Sequence, residues 1–325
     1  MQKIGYKTGL IGKWHLGYPE AYHPNRRGFD WFYGLLQGAR PYPAQQKISD
    51  HKVIQENGEN TPEEGYVTDR FGDAACRFIK ENKEETFYLF VSFTSPHGPL
   101  QPKESDLSRV AHIKEKKRKG YAGLIVSLDD NVGKVLDCLK SEGLEENTIV
   151  LFTNDNGGQT QSGANNFPLQ GKKGTVWEGG LRVPWAMRWP GKIKKGSVVN
   201  GVVSSLDLIP TFLDAGGAEV KEEWKLDGQS FLNLLDGSEE PNERILFWRQ
   251  GGSKGPRAMR EGKWKVVEDR KKGMKPVLFD LTTDIGEATD LSELEGERFK
   301  AMLKKLDQWE SKLEEPRWGP GKVGE

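Results

Sequence analysis

The longest unbroken apolar stretches of the chain are "FYLFVSF" at 87–93 and "TIVLFT" at 148–153. Both are rich in aromatic and β-branched residues and carry no polar alternation, the pattern of strands covered on both faces of a parallel sheet. Between them, Tyr121, Leu124, Ile125, Leu128, Val132, Val135, Leu136 and Leu139 recur at helical spacing, and Gly143 follows as a stop. The spacing therefore predicts a strand-helix-strand unit with a right-handed crossover. A second helical pattern covers 67–83, and a shorter one, "LDLIPTFLDAGG", is closed by Gly216 and Gly217. Alternation of this kind predicts a doubly wound, mostly parallel α/β sheet.

From Arg244 onward the pattern changes. "RILFWRQ", "RAMREGKWKVVED" and "KPVLFDL" read as short, turn-separated antiparallel strands. A last helix places Phe299, Met302, Leu303, Leu306, Trp309 and Leu313 on one stripe, and "EEPRWGPGKVGE" reads as a loose tail. With 325 residues the chain has room for a main domain and a smaller one. The boundary is expected near Pro241, giving an α/β domain at 1–240 and an antiparallel sheet with a helix at 241–325.

Charge narrows the choice of partners. Lys plus Arg and Asp plus Glu each number 48, so no long-range field favours nucleic acid or a charged membrane surface. The one basic run, "HIKEKKRKG", has no interleaved aromatics and reads as a solvated lead-in to a helix. Cys76 and Cys138 are the only cysteines, each in a helical pattern, which argues for small buried hydrophobes and against disulfides or a zinc cluster. No apolar run reaches transmembrane length, and the opening residues lack the regions of a signal peptide.

Ligands of open α/β sheets bind outside the carboxyl ends of the strands. After the first run comes "TSPHGPLQP", where prolines and glycine frame His97; after the second comes "TNDNGG", with Asp155 and Asn156 ahead of two glycines. Asp155 and Asn156 offer oxygen, which suits Ca²⁺ or Mg²⁺, but they are too few to hold such an ion, so this is a half-site. "LQGKKGTVWEGGLRVP" places Lys172 and Lys173 in a glycine-framed loop suited to an oxyanion, without the spacing of a P-loop. "GLIGKWHLG" adds Lys13 and His15. Together these residues fit a tetrahedral oxyanion substrate, with metal and lysine neutralising charge and a histidine protonating the leaving oxygen. A nucleophile is missing.

At this point the chain resembles the sulfatases of the alkaline phosphatase superfamily. "GYKTGLIGKWHLG", "RRGFDWFYG", "FTSPHGPLQP", "SLDDNVGKVLDCL", "FTNDNGG", "GKKGTVWEGGLRVP" and "SLDLIPTFLDAGG" follow in that family's order. The resemblance implies that Lys13 and His15 hold a formylglycine and the sulfate, that His97 and Lys173 contact sulfate and the leaving oxygen, and that Asp155 and Asn156 are two calcium ligands. It implies an Asp-Asp strand and a Cys/Ser-x-Pro-Ser-Arg motif, converted to formylglycine, ahead of the first of these segments. Neither is present: Cys76 is followed by Arg-Phe-Ile and Cys138 by Leu-Lys-Ser. The expectation is an N-terminally truncated sulfatase in which "MQKIGYKT" ends an interrupted helix, inactive alone for want of its nucleophile.

The family's common substrate is a sulfated carbohydrate, and many members are exported. Arg40, Tyr42, Trp177 and Arg182 are possible pocket residues by position. Phosphodiesterases and phosphonate monoester hydrolases share the scaffold and are the alternative enzyme reading; a non-catalytic glycan-binding remnant is the alternative outside catalysis.

Overall fold

The computed structural model describes residues 1–235 and 243–317. The boundary expected near Pro241 and most of the expected tail lie outside the described residues. The elements run β1 (Lys7–Lys13), β2 (Trp31–Leu35), β3 (Gln55–Glu56), β4 (Glu59–Asn60), α1 (Val67–Glu81), β5 (Phe87–Ser92), α2 (Glu104–Arg109) and α3 (Lys116–Ser141). They continue with β6 (Val150–Thr153), α4 (Glu178–Leu181), β7 (Trp185–Arg188), α5 (Leu208–Ala215) and α6 (Leu232–Leu235). Last come β8 (Ile245–Arg249), β9 (Arg257–Glu261), β10 (Trp264–Glu268), β11 (Val277–Asp280) and α7 (Gly296–Glu310). The chain divides into two compact units, one of residues 1–149, 189–195 and 204–232, the other of 150–188, 196–203 and 233–325.

The first unit is an α/β layer. Its sheet has the order β4-β3-β2-β1-β5, with β1 parallel to both β2 and β5. Strands β1 and β2 were not legible as strands because Gly9, Gly12 and Gly34 interrupt their apolar pattern. The glycines are required where they stand: a Cβ on Gly34 would lie 2.0 Å from the Gly12 carbonyl oxygen, and one on Gly12 2.0 Å from that of Ser92. Ile11, Leu35, Tyr66, Val67, Phe71, Ala75 and Leu124 form one buried cluster between sheet and helices. Each fully buried large side chain there stabilises by about 2 kcal/mol. The basic run leads into α3, whose first turn is capped by Glu115 accepting from the Lys117 and Arg118 amides.

Gln2–Ile4 forms a helical turn closed by Gly5, ahead of β1, which starts at Lys7. Two expectations need correction here. "TIVLFT" does not extend the parallel sheet; β6 pairs antiparallel with β7, Val150 opposite Arg188 and Thr153 opposite Trp185, as a separate two-stranded sheet. An unbroken apolar run predicts a strand but not its partner or direction. Neither run is covered on both faces among the described residues. β5 stands at the sheet edge with Phe90 46% exposed, and Phe152 of β6 is 39% exposed.

The second unit contains the antiparallel sheet expected after Arg244, in the order β11-β10-β9-β8, covered by α7. Met259, Val266, Leu278, Met302 and Leu306 are buried between sheet and helix. The opposite face buries Val176, Trp177, Ala258, Val267 and Phe279, so residues around α4 belong with this sheet, not with the α/β layer.

Candidate active site

In the first unit the site residues stand at the carboxyl ends of the parallel strands. Lys13 ends β1, and the chain stays beside β2 beyond it: the Trp14 and His15 amides donate to the Leu35 and Leu36 carbonyls, each at 3.0 Å. His15 holds a left-handed backbone (φ 58), uncommon for a residue with a Cβ. Its ring lies where a side chain on Gly38 would have to go, 2.4–2.6 Å from the Cβ position. A strained residue at a strand end, with its ring accommodated by a glycine, is the arrangement expected of a functional side chain.

His97 is held by its own loop. Its amide donates to Thr94 O at 2.8 Å, and its Nδ1 lies 2.8 Å from Gly98 O. A carbonyl can only accept, so Nδ1 carries the proton and Nε2 is left to face a ligand. Beneath the loop the Tyr42 hydroxyl lies 2.7 Å from His97 O and 3.1 Å from Thr94 O. Burial pushes the Tyr42 phenol above its ordinary range, so it stays a neutral donor.

In the second unit Asp155 and Asn156 follow β6. The Asn156 Nδ2 donates to Gly157 O at 3.1 Å, which turns the amide oxygen into the atom offered to a ligand. The loop carrying Lys173 is joined to this one: the Lys173 amide donates to Gly158 O at 3.2 Å. Asn166 clamps both, accepting from the Gly158 amide and donating to Gly158 O and Gly171 O. Asn166 carries no motif-like signal in the sequence. The oxygen donors Asp155 and Asn156 match the chemistry of a hard cation but supply only part of its shell. Among the described residues no group of three or more His, Cys, Asp or Glu side chains stands ready for a metal.

Two of the pocket positions are corrected. Arg40 is 2% exposed and committed inward, to Glu63 at 3.0 and 2.6 Å and to the Pro41 and Lys52 carbonyls. Four of its five N–H groups are spent in the core, so it does not face substrate. Trp177 is 7% exposed and packs at a tilt of 53° against Phe279 with ring centres 5.8 Å apart, a core residue. Arg182 keeps half its side chain exposed, 4.0 Å from Glu178, and remains a candidate. Neither cysteine is poised as a thiolate nucleophile: Cys138 is buried, and burial pushes the Cys76 thiol up to about 12.

The family model "Sulfatase" matches residues 1–218, and "N-sulphoglucosamine sulphohydrolase, C-terminal" matches 171–315. The chain therefore belongs to the sulfatase family. It is 30% identical to mouse arylsulfatase J over 256 residues, covering 76% of this chain and 43% of that one. It is also 30% identical to mouse N-acetylgalactosamine-6-sulfatase over 271 residues, covering 78% of this chain and 51% of that one. Thus the chain spans about half the length of the curated relatives it matches. The crystal structure of Ps i-CgsB in complex with k-i-k-neocarrahexaose superposes with a TM-score of 0.92 at 34% identity, covering 98% of this chain and 74% of that one. That likeness confirms the expected α/β class with its antiparallel subdomain. No helix among the described residues is long and apolar enough to cross a membrane.

Proposed function

We propose that this chain is the larger part of a sulfuric ester hydrolase acting on a sulfated carbohydrate. The observation that carries the reading is the set of two lysines, two histidines and an Asp-Asn pair at loop ends, in the order of a family to which the chain belongs. The 34% identity to a protein crystallised with k-i-k-neocarrahexaose supports a glycan over a small aryl ester.

In this reading the attack on sulfur comes from a formylglycine hydrate, which no residue of this chain supplies. Lys13 and Lys173 act as point charges on the sulfate, Lys173 also beside the leaving oxygen, where negative charge builds as the S–O bond breaks. His15 binds beside Lys13. His97, its Nδ1–H held by Gly98 O, presents Nε2 to the leaving oxygen and donates a proton from the imidazolium form. Asp155 and Asn156 would hold part of the shell of a Ca²⁺ or Mg²⁺ ion, which would supply positive charge beside the sulfate group.

The chain alone is then inactive, and an extended chain carrying Cys/Ser-x-Pro-Ser-Arg, matured to formylglycine, is active. The test is turnover of an aryl sulfate and a sulfated oligosaccharide by both forms. His97→Ala or Lys173→Ala in the active form is expected to lose about 10²–10⁴-fold in kcat. Turnover by the unextended chain would overturn the reading, and preference for the matched aryl phosphate would assign a phosphodiesterase.

A further inference from the structure

The second unit buries an ionic cluster that the proposed chemistry does not use. Lys265 on β10 is fully buried, with Nζ 2.7 Å from Glu178 Oε1 and 2.8 Å from Glu287 Oε1. Glu287 Oε2 accepts the Glu178 amide at 2.7 Å, and Glu287 itself sits in a left-handed backbone (φ 54). The other oxygen of Glu178 has no hydrogen-bond partner among the described residues, with Arg260 at 3.9 Å and Arg182 at 4.0 Å. Desolvation holds the Glu287 carboxyl above its ordinary range against the pull of Lys265.

Burying three charges to hold a four-residue helix is a poor route to stability alone, since desolvation offsets most of the attraction. What the cluster does hold is the frame of both site loops. Glu178 opens α4, and the next two residues bond the loops directly: the Gly179 amide donates to Gln170 O at 2.6 Å, and Gly180 O accepts the Gly157 amide at 3.0 Å. The fit leaves no room for side chains. A Cβ on Gly157 would lie 1.9 Å from Gly179 O, and one on Gly179 2.6 Å from Gln170 O. The Gln170 side-chain amide also faces the carbonyls of Gly286 and Glu287, at 3.2 and 3.1 Å. Asn156, Asp155 and Lys173 are thus one, two and three steps along the chain from residues fixed by α4.

We infer that Lys265, Glu178 and Glu287 are positioning residues, which lock α4 to the antiparallel sheet and through it set the metal-side loop at 154–158 against the lysine loop at 170–173. The inference rests on the proposed roles of Asp155, Asn156 and Lys173, but its test needs no substrate. Deuterium exchange on this chain reads the Gly157, Lys173 and Gly179 amides beside those of β9–β11.

Glu287→Ala removes the acceptor of the Glu178 amide and leaves Lys265 paired with Glu178. It is expected to speed exchange at the three loop amides by roughly tenfold or more while the sheet stays protected. Glu287→Gln keeps an acceptor oxygen and is expected to restore protection. In Lys265→Met, Glu178 and Glu287 face each other near Arg260 and Arg182 only. Loop protection is then expected to fall at neutral pH and to recover as pH is lowered and the Glu287 carboxyl, held above its ordinary range by burial, takes up a proton. Unchanged loop exchange in Glu287→Ala, equal loss across β9–β11, or no rescue by Glu287→Gln would overturn the inference. Failure of sulfate hydrolysis would leave the exchange result standing, and the reverse holds too.

Discussion

At the scale of single residues, the side chains proposed to carry chemistry and those packed into the core lie close together along the chain. Lys13, His15, His97, Asp155, Asn156 and Lys173 sit at strand or loop ends, where the motif pattern put them. Arg40 and Trp177 share that neighbourhood in sequence but point inward, since nothing local distinguishes a buried arginine paired with Glu63 from one facing solvent. Glycines hid the opposite information. Gly12 has φ 101 and no space for a Cβ against Ser92 O, whereas Gly58 has φ 97 and open space around it. Gly58→Ala is expected to cost about 1 kcal/mol from backbone strain alone, and Gly12→Ala upwards of about 3 kcal/mol because a backbone atom must also move. Thermal melting of the two variants measures the difference.

Asp280 supplies a pH test at the same scale. Burial raises its pKa, but Lys263 at 2.7 Å and the Thr282 hydroxyl and amide outweigh that and hold it at about 2. A carboxylate depressed in the folded state contributes stability that is complete above its unfolded value near 4 and is lost as pH falls towards 2. Wild-type protein should therefore lose on the order of 1–2 kcal/mol more than Asp280→Asn between about pH 5 and 2, read by denaturant titration at each pH.

Among elements, what periodicity can express was legible. The helices at 67–81 and 116–141, the four antiparallel strands and the last helix fall where their spacing placed them. Pairing was not: β6 reads as a parallel strand because its residues are uniformly apolar, yet its partner is β7, which returns after a loop of some thirty residues. The bond between α4 and β10 was equally hidden, because Glu178, Lys265 and Glu287 are charged residues that look like surface until their burial is seen. Their stoichiometry makes the energetic consequences unequal. Lys265→Met leaves two buried carboxylates without their ammonium and is expected to cost about 3–5 kcal/mol near neutral pH. Glu287→Gln leaves one lysine with one glutamate and should cost about 1 kcal/mol or less. Chemical denaturation of both variants should separate them clearly; equal losses would mean that the second carboxylate is not charged in the folded protein.

For the whole molecule, the question is what lies against β5 at the edge of the α/β layer. Natural sheets blunt their edges with charge, proline or a covering element. β5, with the sequence FYLFVS, has none of the first two, and among the described residues its only strand neighbour is β1. One face is closed by Leu89 packing with the core; on the other, Tyr88 meets Phe212 at 5.8 Å while Phe90 stands 46% exposed. A strand this apolar is the composition of one buried on both sides. The 74% coverage of Ps i-CgsB, against 98% of this chain, leaves room for the covering segment in the related fold. Phe90→Lys distinguishes an open face from a closed one. In this chain the substitution should leave the unfolding free energy within about 0.5 kcal/mol, as for other exposed positions, and reduce concentration-dependent association seen by light scattering. In a chain extended upstream to carry the proposed nucleophile, the same lysine should cost upwards of about 2 kcal/mol, because Phe90 would there be covered and a charge buried in its place. A large loss already in the present chain would mean that β5 needs no further partner, and that the absent nucleophile must be sought somewhere other than beside it.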